Sequence, residues 1–314
     1  MPNNKKYNVI FLGTPLIAKV TLAELCKIPN VNVLAIFCQP DNHFDRKGNV
    51  VLSPVKQFAL EKNINCYQPE DINDDFELIK QLNPDIIITC AYGQFVKEKI
   101  LNIPKYGCVN LHASLLPKLR GGAPIHWAII NGEKETGISL MYMVKKMDAG
   151  NVIKQYKIKI NDDDTYQILY TKLCDLIKSF LIDDFKILVS DNVKSIPQDE
   201  NKVTFGLNIK KEDTIINFNN SSLSIYNLIR GLNDNPVAKI KFENTLIKVY
   251  SCLISQNKST EKPGTIVSIS KKGLEVATKD FNIFLDQIQL PSKQIRKVSE
   301  LMNGNFIFVV GQQL

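Results

Sequence analysis

Nowhere in its 314 residues does this chain hold a run of apolar residues approaching the roughly 20 needed to cross a bilayer. Its first six residues are polar with no long apolar stretch behind them, so neither export nor anchoring is signalled and a soluble, cytoplasmic protein is expected. Cysteine pairs are missing too. The seven cysteines are scattered and odd in number, and none stands in C-x-x-C spacing, which argues for reduced thiols over a zinc or redox site. Histidine is scarce, at 43, 112 and 126 only, so no multi-histidine metal site is expected. The dinucleotide fingerprint is also absent, because Pro15 stands where Gly13-Thr14 would need its second glycine, and no NAD or nucleotide cofactor is inferred.

What is present is a strand and helix alternation. Tyr7 to Gly13 and Val31 to Cys38 are apolar runs separated by an amphipathic segment from Ala18 to Lys27. Asn83 to Ala91 and Val109 to His112 read as further buried strands, with helices at Pro54 to Lys62 and Asp74 to Leu82. Such alternation predicts a doubly wound, mostly parallel, Rossmann-like α/β sheet, in which ligands sit at the carboxyl ends of the strands. Val152 to Ile160 alternates like an edge strand and Thr165 to Val189 has the spacing of one long helix. The polar, aperiodic stretch around Pro197 is read as a linker over 190–205, between a domain at 1–189 and a second at 206–314. In that second part Thr214 to Phe218, Val237 to Phe242, Thr245 to Ser251, Gly264 to Ile269, Gly273 to Thr278 and Asn282 to Leu290 read as short strands, with a helix at Ser224 to Leu232. That pattern predicts a small antiparallel β-barrel of the oligonucleotide-binding (OB-like) class.

Charge is unevenly placed within the net +7. From Gly206 onward 14 Lys and Arg face 9 Asp and Glu, against 25 and 23 in residues 1–205. A basic module suggests contact with a polyanion, although the Lys- and Asn-rich composition of the whole chain gives the same excess without one.

The chemistry is concentrated between Val109 and Gly150. Asn110 and His112 leave a strand end, and Asp148 follows after a turn-rich segment. Acyl transfer to an amine needs a donor for the developing oxyanion, a proton handler and a group to orient it. The Asn110 amide is assigned to the oxyanion, His112 to the proton, and Asp148 to fixing the imidazole's tautomer and supporting its charged form. Removing one such donor typically costs roughly 3–4 kcal/mol. His126, beside the lone Trp127 on a helix expected after Pro124, reads as a packing residue, and His43 as a solvated one. Lys145 and Lys146 stand either as attractors of an anionic ligand or as solvated side chains.

The run Asn110-x-His112-x-Ser114-Leu115-Leu116-Pro117, followed by Arg120-Gly121, Ala123-Pro124-Ile125 and Met147-Asp148-Ala149-Gly150, resembles the signature of the folate-dependent formyltransferase family. The similarity runs nearly end to end. In Phe11 to Pro15, Gln39 to Asp41, Ser53 to Lys56, Ala91 to Gly93 and Lys211 to Asp213 it follows the branch that formylates tRNA. This resemblance implies 10-formyltetrahydrofolate as formyl donor, initiator methionyl-tRNA as acceptor, a monomer, and no bound metal. It implies a folate site formed by Ser114, Leu115, Leu116 and Pro117 with Tyr92 and Gly93. It also implies RNA contacts from Arg46, Lys47, Lys210, Lys211 and Arg230. Three features depart from the family: the Asp41 to Gly48 loop lacks its usual first glycine, Leu119 replaces a common aromatic, and Asn233 to Val237 lacks a tryptophan. Two alternatives stand beside this reading. One is a formyltransferase for a sugar amine or other small amine, and the other is a catalytically silent RNA-binding protein of the same fold.

Overall fold

The computed structural model describes residues 5–314 except His43, Arg46 and Asn305. It divides into two compact units, the first comprising Met1–Pro124, Thr136–Ile158 and Tyr170–Leu207, the second Ile125–Glu135, Lys159–Leu169 and Asn208–Leu314.

The first unit is built on a seven-stranded sheet. Its strands are β1 (Tyr7–Gly13), β2 (Val31–Phe37), β3 (Cys66–Tyr67), β4 (Ile86–Cys90), β5 (Cys108–His112), β6 (Glu135–Tyr142) and β7 (Val152–Lys159), in the spatial order β3-β2-β1-β4-β5-β6-β7. From β3 to β5 the pairing is parallel, and β6 runs antiparallel to β5. The strand β6 was not anticipated, and it pairs Met141 with Asn110 and Ser139 with His112. Helices α1 (Leu16–Leu25), α2 (Pro54–Glu61), α3 (Phe76–Leu82) and α4 (Glu98–Leu101) make the connections between parallel strands. Local chemistry starts α2: the Ser53 hydroxyl accepts from Lys56 N at 3.2 Å, and Pro54 occupies the first turn, where no N–H is needed. Asn83, at φ 46, ends α3 in the left-handed conformation. Ile10, Leu12, Phe37, Ile72, Ile79, Ile87 and Ile100 form one buried cluster, each contributing about 1.5–3 kcal/mol of transfer free energy. Chain order reverses around β1, between β2 and β4, and this opens the crevice at the carboxyl ends of the strands.

The stretch read as a linker is bonded to this unit along its second half. Val152 and Ile196 exchange backbone hydrogen bonds at 2.9 and 2.8 Å. Arg120 N donates to Thr204 O at 2.9 Å, Gly206 N to Arg120 O at 2.8 Å, and Ala123 N to Gly206 O at 2.8 Å. A strap over 196–206 therefore ties down the turn-rich segment after β5. It is fastened electrostatically as well. Fully buried Arg120 donates to Glu200 at 2.8 Å, and Lys146 binds the other Glu200 oxygen at 2.6 Å. Arg120 first and Lys146 second pull the Glu200 carboxyl down to about 2.

The second unit carries α5 (Ser222–Leu232) and an antiparallel sheet. The sheet's strands are β8 (Ala238–Phe242), β9 (Thr245–Lys258), β10 (Ile266–Ser270), β11 (Gly273–Val276), β12 (Phe281–Gln289) and β13 (Arg296–Lys297). They run β10-β11-β12-β9-β8, with β13 on β12. The strand expected at Thr214 to Phe218 is instead a 3-10 turn at Glu212–Thr214 followed by irregular chain. The alternation that suggested it is real, since Ile216 and Phe218 enter the core, but only Ile215 bridges to a strand residue, Lys239.

Arg230 needs correction as an RNA contact. It is 7% exposed, its Nε donates to Asn227 at 2.9 Å, and its Nη1 donates to the carbonyls of Asp164 at 2.7 Å and Asn161 at 3.2 Å. A guanidinium committed to internal acceptors serves the fold. Arg230→Ala is expected to lower unfolding free energy by roughly 2–4 kcal/mol, because the buried Asp164 carbonyl and the part-buried Asn161 carbonyl lose their donor; denaturant titration measures this, and a change under 1 kcal/mol would contradict it. Glu200→Gln bears on pH. A carboxyl held below its ordinary range contributes stability above about pH 4.5 that disappears as pH falls toward 2. The stability gap between the parent and Glu200→Gln, taken from urea midpoints, should therefore shrink across that window, and it should be modest because Glu200 is half exposed.

Candidate active site

Asn110 and His112 sit two residues apart on β5, so both side chains leave the same face, at the strand's carboxyl end. His112 is 5% exposed and Asn110 half-buried. Asp148 reaches both from the turn after β6. Its Oδ1 lies 3.5 Å from Asn110 Nδ2 and its Oδ2 lies 3.7 Å from His112 Nδ1. The same Oδ2 accepts a 2.8 Å hydrogen bond from Gly121 N. One carboxylate thus faces the amide donor, the imidazole and a backbone donor.

The imidazole's tautomer follows from its other partner. His112 Nε2 is 2.9 Å from Leu119 O, and a carbonyl can only accept, so Nε2 carries the proton. Nδ1 is then the nitrogen free to take and return a proton, and it is the one that faces Asp148. This revises the expected division of labour: Leu119's carbonyl fixes the tautomer, and Asp148 is left to support the charged ring. Leu119 adopts φ 58 to present that carbonyl, a left-handed conformation costing on the order of 1–3 kcal/mol in a non-glycine residue. The strap holds it there through a 2.9 Å bond from Leu119 N to Thr204 Oγ1.

Glycine is required at 121. Its φ is +124, and a Cβ there would lie 2.8 Å from Gly206 O. A side chain would push apart the turn and the strap, and with them the amide that reaches Asp148.

The residues expected at the folate site have two kinds of role. Ser114 is buried, and its hydroxyl donates to Lys118 O at 2.6 Å, so that group shapes the turn. Ser139 supports the same turn, donating to Ser114 O at 2.6 Å and accepting from Leu116 N at 3.1 Å. Gln155 completes it by donating to Leu116 O at 2.9 Å. Leu116 is buried, whereas Leu115 and Pro117 are half-buried at the turn's surface. Tyr92 buries its ring, and burial pushes its phenol upward, but its carbonyl accepts from Gln39 Nε2 at 3.0 Å and from Thr14 Oγ1 at 3.4 Å. The loops after β1, β2 and β4 are joined there. Gly93 follows at φ +90 and is exposed. Neither Ser139 nor Gln155 was found by sequence reasoning, and only their positions on β6, beside β5, and on β7, beside β6, would have pointed to them.

Of the residues expected to meet RNA, Arg46 lies outside the described residues, as does His43. Lys47, Lys210 and Lys211 are exposed. The loop around Lys47 is ordered by Asp45, whose Oδ1 accepts from Lys47 N at 2.7 Å and Asn49 N at 2.9 Å. The Asn49 side chain and amide hold the Asp45 carboxyl below its usual range. In the absence of the family's usual first glycine, Asp45 is the residue that shapes this loop. At the loop's base Lys56 binds both Asp41 and Gln68. His126 stacks on Tyr166 with ring centroids 4.0 Å apart, and burial lowers its basicity, in keeping with a packing role.

Residues 6–184 match the formyl transferase family, and residues 208–305 match its C-terminal domain. A methionyl-tRNA formyltransferase from Ureaplasma urealyticum is 50% identical over 95% of this chain and 98% of its own length. One from Malacoplasma penetrans is 43% identical over 99% and 97%, and one from Staphylococcus aureus 40% identical over 98% and 99%. Among solved structures, an N-formyltransferase from Helicobacter canadensis, crystallised with folinic acid and dTDP-3-aminofucose, aligns over 89% of this chain and 98% of its own, with TM-score 0.65 at 20% identity. HypX from Aquifex aeolicus aligns over 95% of this chain but 47% of its own, with TM-score 0.62 at 14% identity. Two matched domains in order, and identity of that level sustained from end to end, lead to one conclusion: the chain belongs to the formyl transferase family.

Proposed function

We propose that this chain transfers the formyl group of 10-formyltetrahydrofolate to the α-amino group of methionyl initiator tRNA, giving N-formylmethionyl-tRNA and tetrahydrofolate. The observation that carries the chemistry is the convergence of Asn110 and His112 on Asp148, at 3.5 and 3.7 Å. The acceptor is inferred from full-length relatives named for it. The sugar-amine enzyme shares the fold at 20% identity and supports no choice of acceptor. On this reading the chain works as a cytoplasmic monomer; among the described residues no helix is long and apolar enough to span a membrane.

The neutral amine attacks the formyl carbon, a C–N bond forms, and the carbonyl pair moves onto oxygen. Asn110 Nδ2 donates to that oxyanion. His112 Nδ1 takes the amine's proton while Nε2 stays bonded to Leu119 O, and the Asp148 carboxylate stabilises the resulting imidazolium. Collapse returns the electron pair, breaks the bond to folate N10, and delivers the proton from Nδ1 to that nitrogen. Exposed Lys47, Lys210 and Lys211 supply phosphate neutralisation.

Labelled formyl transfer from 10-formyltetrahydrofolate should occur strongly with methionyl initiator tRNA and weakly with elongator methionyl-tRNA or free methionine; inertness toward the initiator would sink the reading. Asn110→Ala and His112→Ala should each lower kcat by about 10²-fold or more, with KM for tRNA nearly unchanged. A His112→Ala enzyme within threefold of the parent would remove the imidazole from the proton path.

A further inference from the structure

The carboxylate that serves both reacting groups belongs to a residue in an unfavourable backbone state. Asp148 has φ 47, and its turn has no regular secondary structure to hold it. What holds the turn is a side chain from the strap. Gln198 Nε2 donates to Asp148 O at 2.8 Å and to Gly150 O at 2.8 Å, so one amide nitrogen bridges two carbonyls on either side of Ala149. The amide's other end is fixed too, because Gln198 Oε1 accepts from Arg120 Nε at 3.0 Å. Arg120 is in turn anchored on several sides. It is fully buried, paired with Glu200, and its own N and O are bonded to Thr204 O and Gly206 N. The next residue, Gly121, is the one whose N–H reaches the Asp148 carboxylate.

We infer that Gln198 is a positioning residue for catalysis, holding Asp148 by its backbone while Gly121 holds it by its carboxylate, with Arg120 orienting both. This rests on the formyl-transfer reading above and adds a residue to it. A carboxylate 3.7 Å from Nδ1 stabilises imidazolium only while its turn keeps this shape, and a shift near 1 Å is enough to cost one to two orders of magnitude in rate. Gln198 touches neither the imidazole nor the Asn110 amide, so its loss should appear in kcat and not in substrate KM.

Two variants separate this from a packing role. Gln198→Leu keeps most of the volume and removes both amide bonds. Gln198→Glu keeps the acceptor for Arg120, and hence the strap's anchorage, but turns an oxygen toward two carbonyl oxygens. Both should lower kcat by about 10- to 100-fold, leave KM for folate and for tRNA within about twofold, and leave the thermal midpoint of the Glu variant within a few degrees of the parent. In ¹³C-histidine spectra of the free protein, both should move the ring resonances of His112 and leave His126 in place. If Gln198→Glu kept the parent's kcat and His112 spectrum, donation to the Asp148 turn would not matter and the inference would fall. If the parent itself proved inert toward tRNA, the functional reading would fail instead. The His112 spectrum would still decide the role of Gln198.

Discussion

The hydrogen bond between His112 Nε2 and the Leu119 carbonyl decides which nitrogen is free to carry a proton, and the site's other features follow from it. With Nε2 committed, Nδ1 is the nitrogen left free for proton transfer, and the carboxylate stands on that side of the ring. Asp148 does, and it can be there only because the turn after β6 returns to the end of β5, where Asn110 also emerges. The constraint extends to the backbone. Leu119 must sit at φ 58 to aim its carbonyl, and Asp148 at φ 47 to aim its side chain. Two non-glycine residues in the left-handed region, both within one site, imply a surrounding structure that over-determines them.

That surrounding structure is the strap. Thr204 holds Leu119, Gln198 holds Asp148, and Gly206 holds Arg120 and Ala123. Its charges are arranged to the same end: the buried Arg120 guanidinium donates through Nε to Gln198 and through Nη2 to Glu200, while Glu200, half exposed, links it to Lys146 at the surface. A lysine whose role the sequence left open between ligand attraction and solvation is thus an ion-pair partner of the strap, which places its charge on the loop that carries Asp148.

Much of the first unit was legible because its strands are continuous apolar runs buried on both faces and its helices have the right spacing; the observed β1, β2, β4 and β5 fall within two or three residues of expectation. The convergence of Asn110 and His112 was legible because the spacing Asn-x-His on a strand puts two side chains on one face. Arg230 was misjudged because charge in a sequence carries no burial. The excess of positive charge after Gly206 includes a residue that solvent hardly reaches. The same blindness hid Ser139 and Gln155, which satisfy neighbours that become neighbours only once β6 is laid beside β5 and β7 beside β6.

The strap was the hardest element to read, and for a physical reason. Periodicity reveals chain that buries an apolar face, whereas the turns around the site are irregular backbone whose buried carbonyls need donors. Donors come from uncharged polar side chains, so the segment supplying them is polar, aperiodic and interrupted by Pro197, the same signature as a solvated linker. What separates the two is satisfaction. Gln198 makes three hydrogen bonds with its amide and Thr204 bonds through both backbone and hydroxyl, which is too many for a segment whose only task is to span a distance. A site whose histidine is oriented and whose carboxylate is presented by strained turns needs such a segment close by in the fold, and a polar stretch following the sheet that carries the site is a place where it can be found.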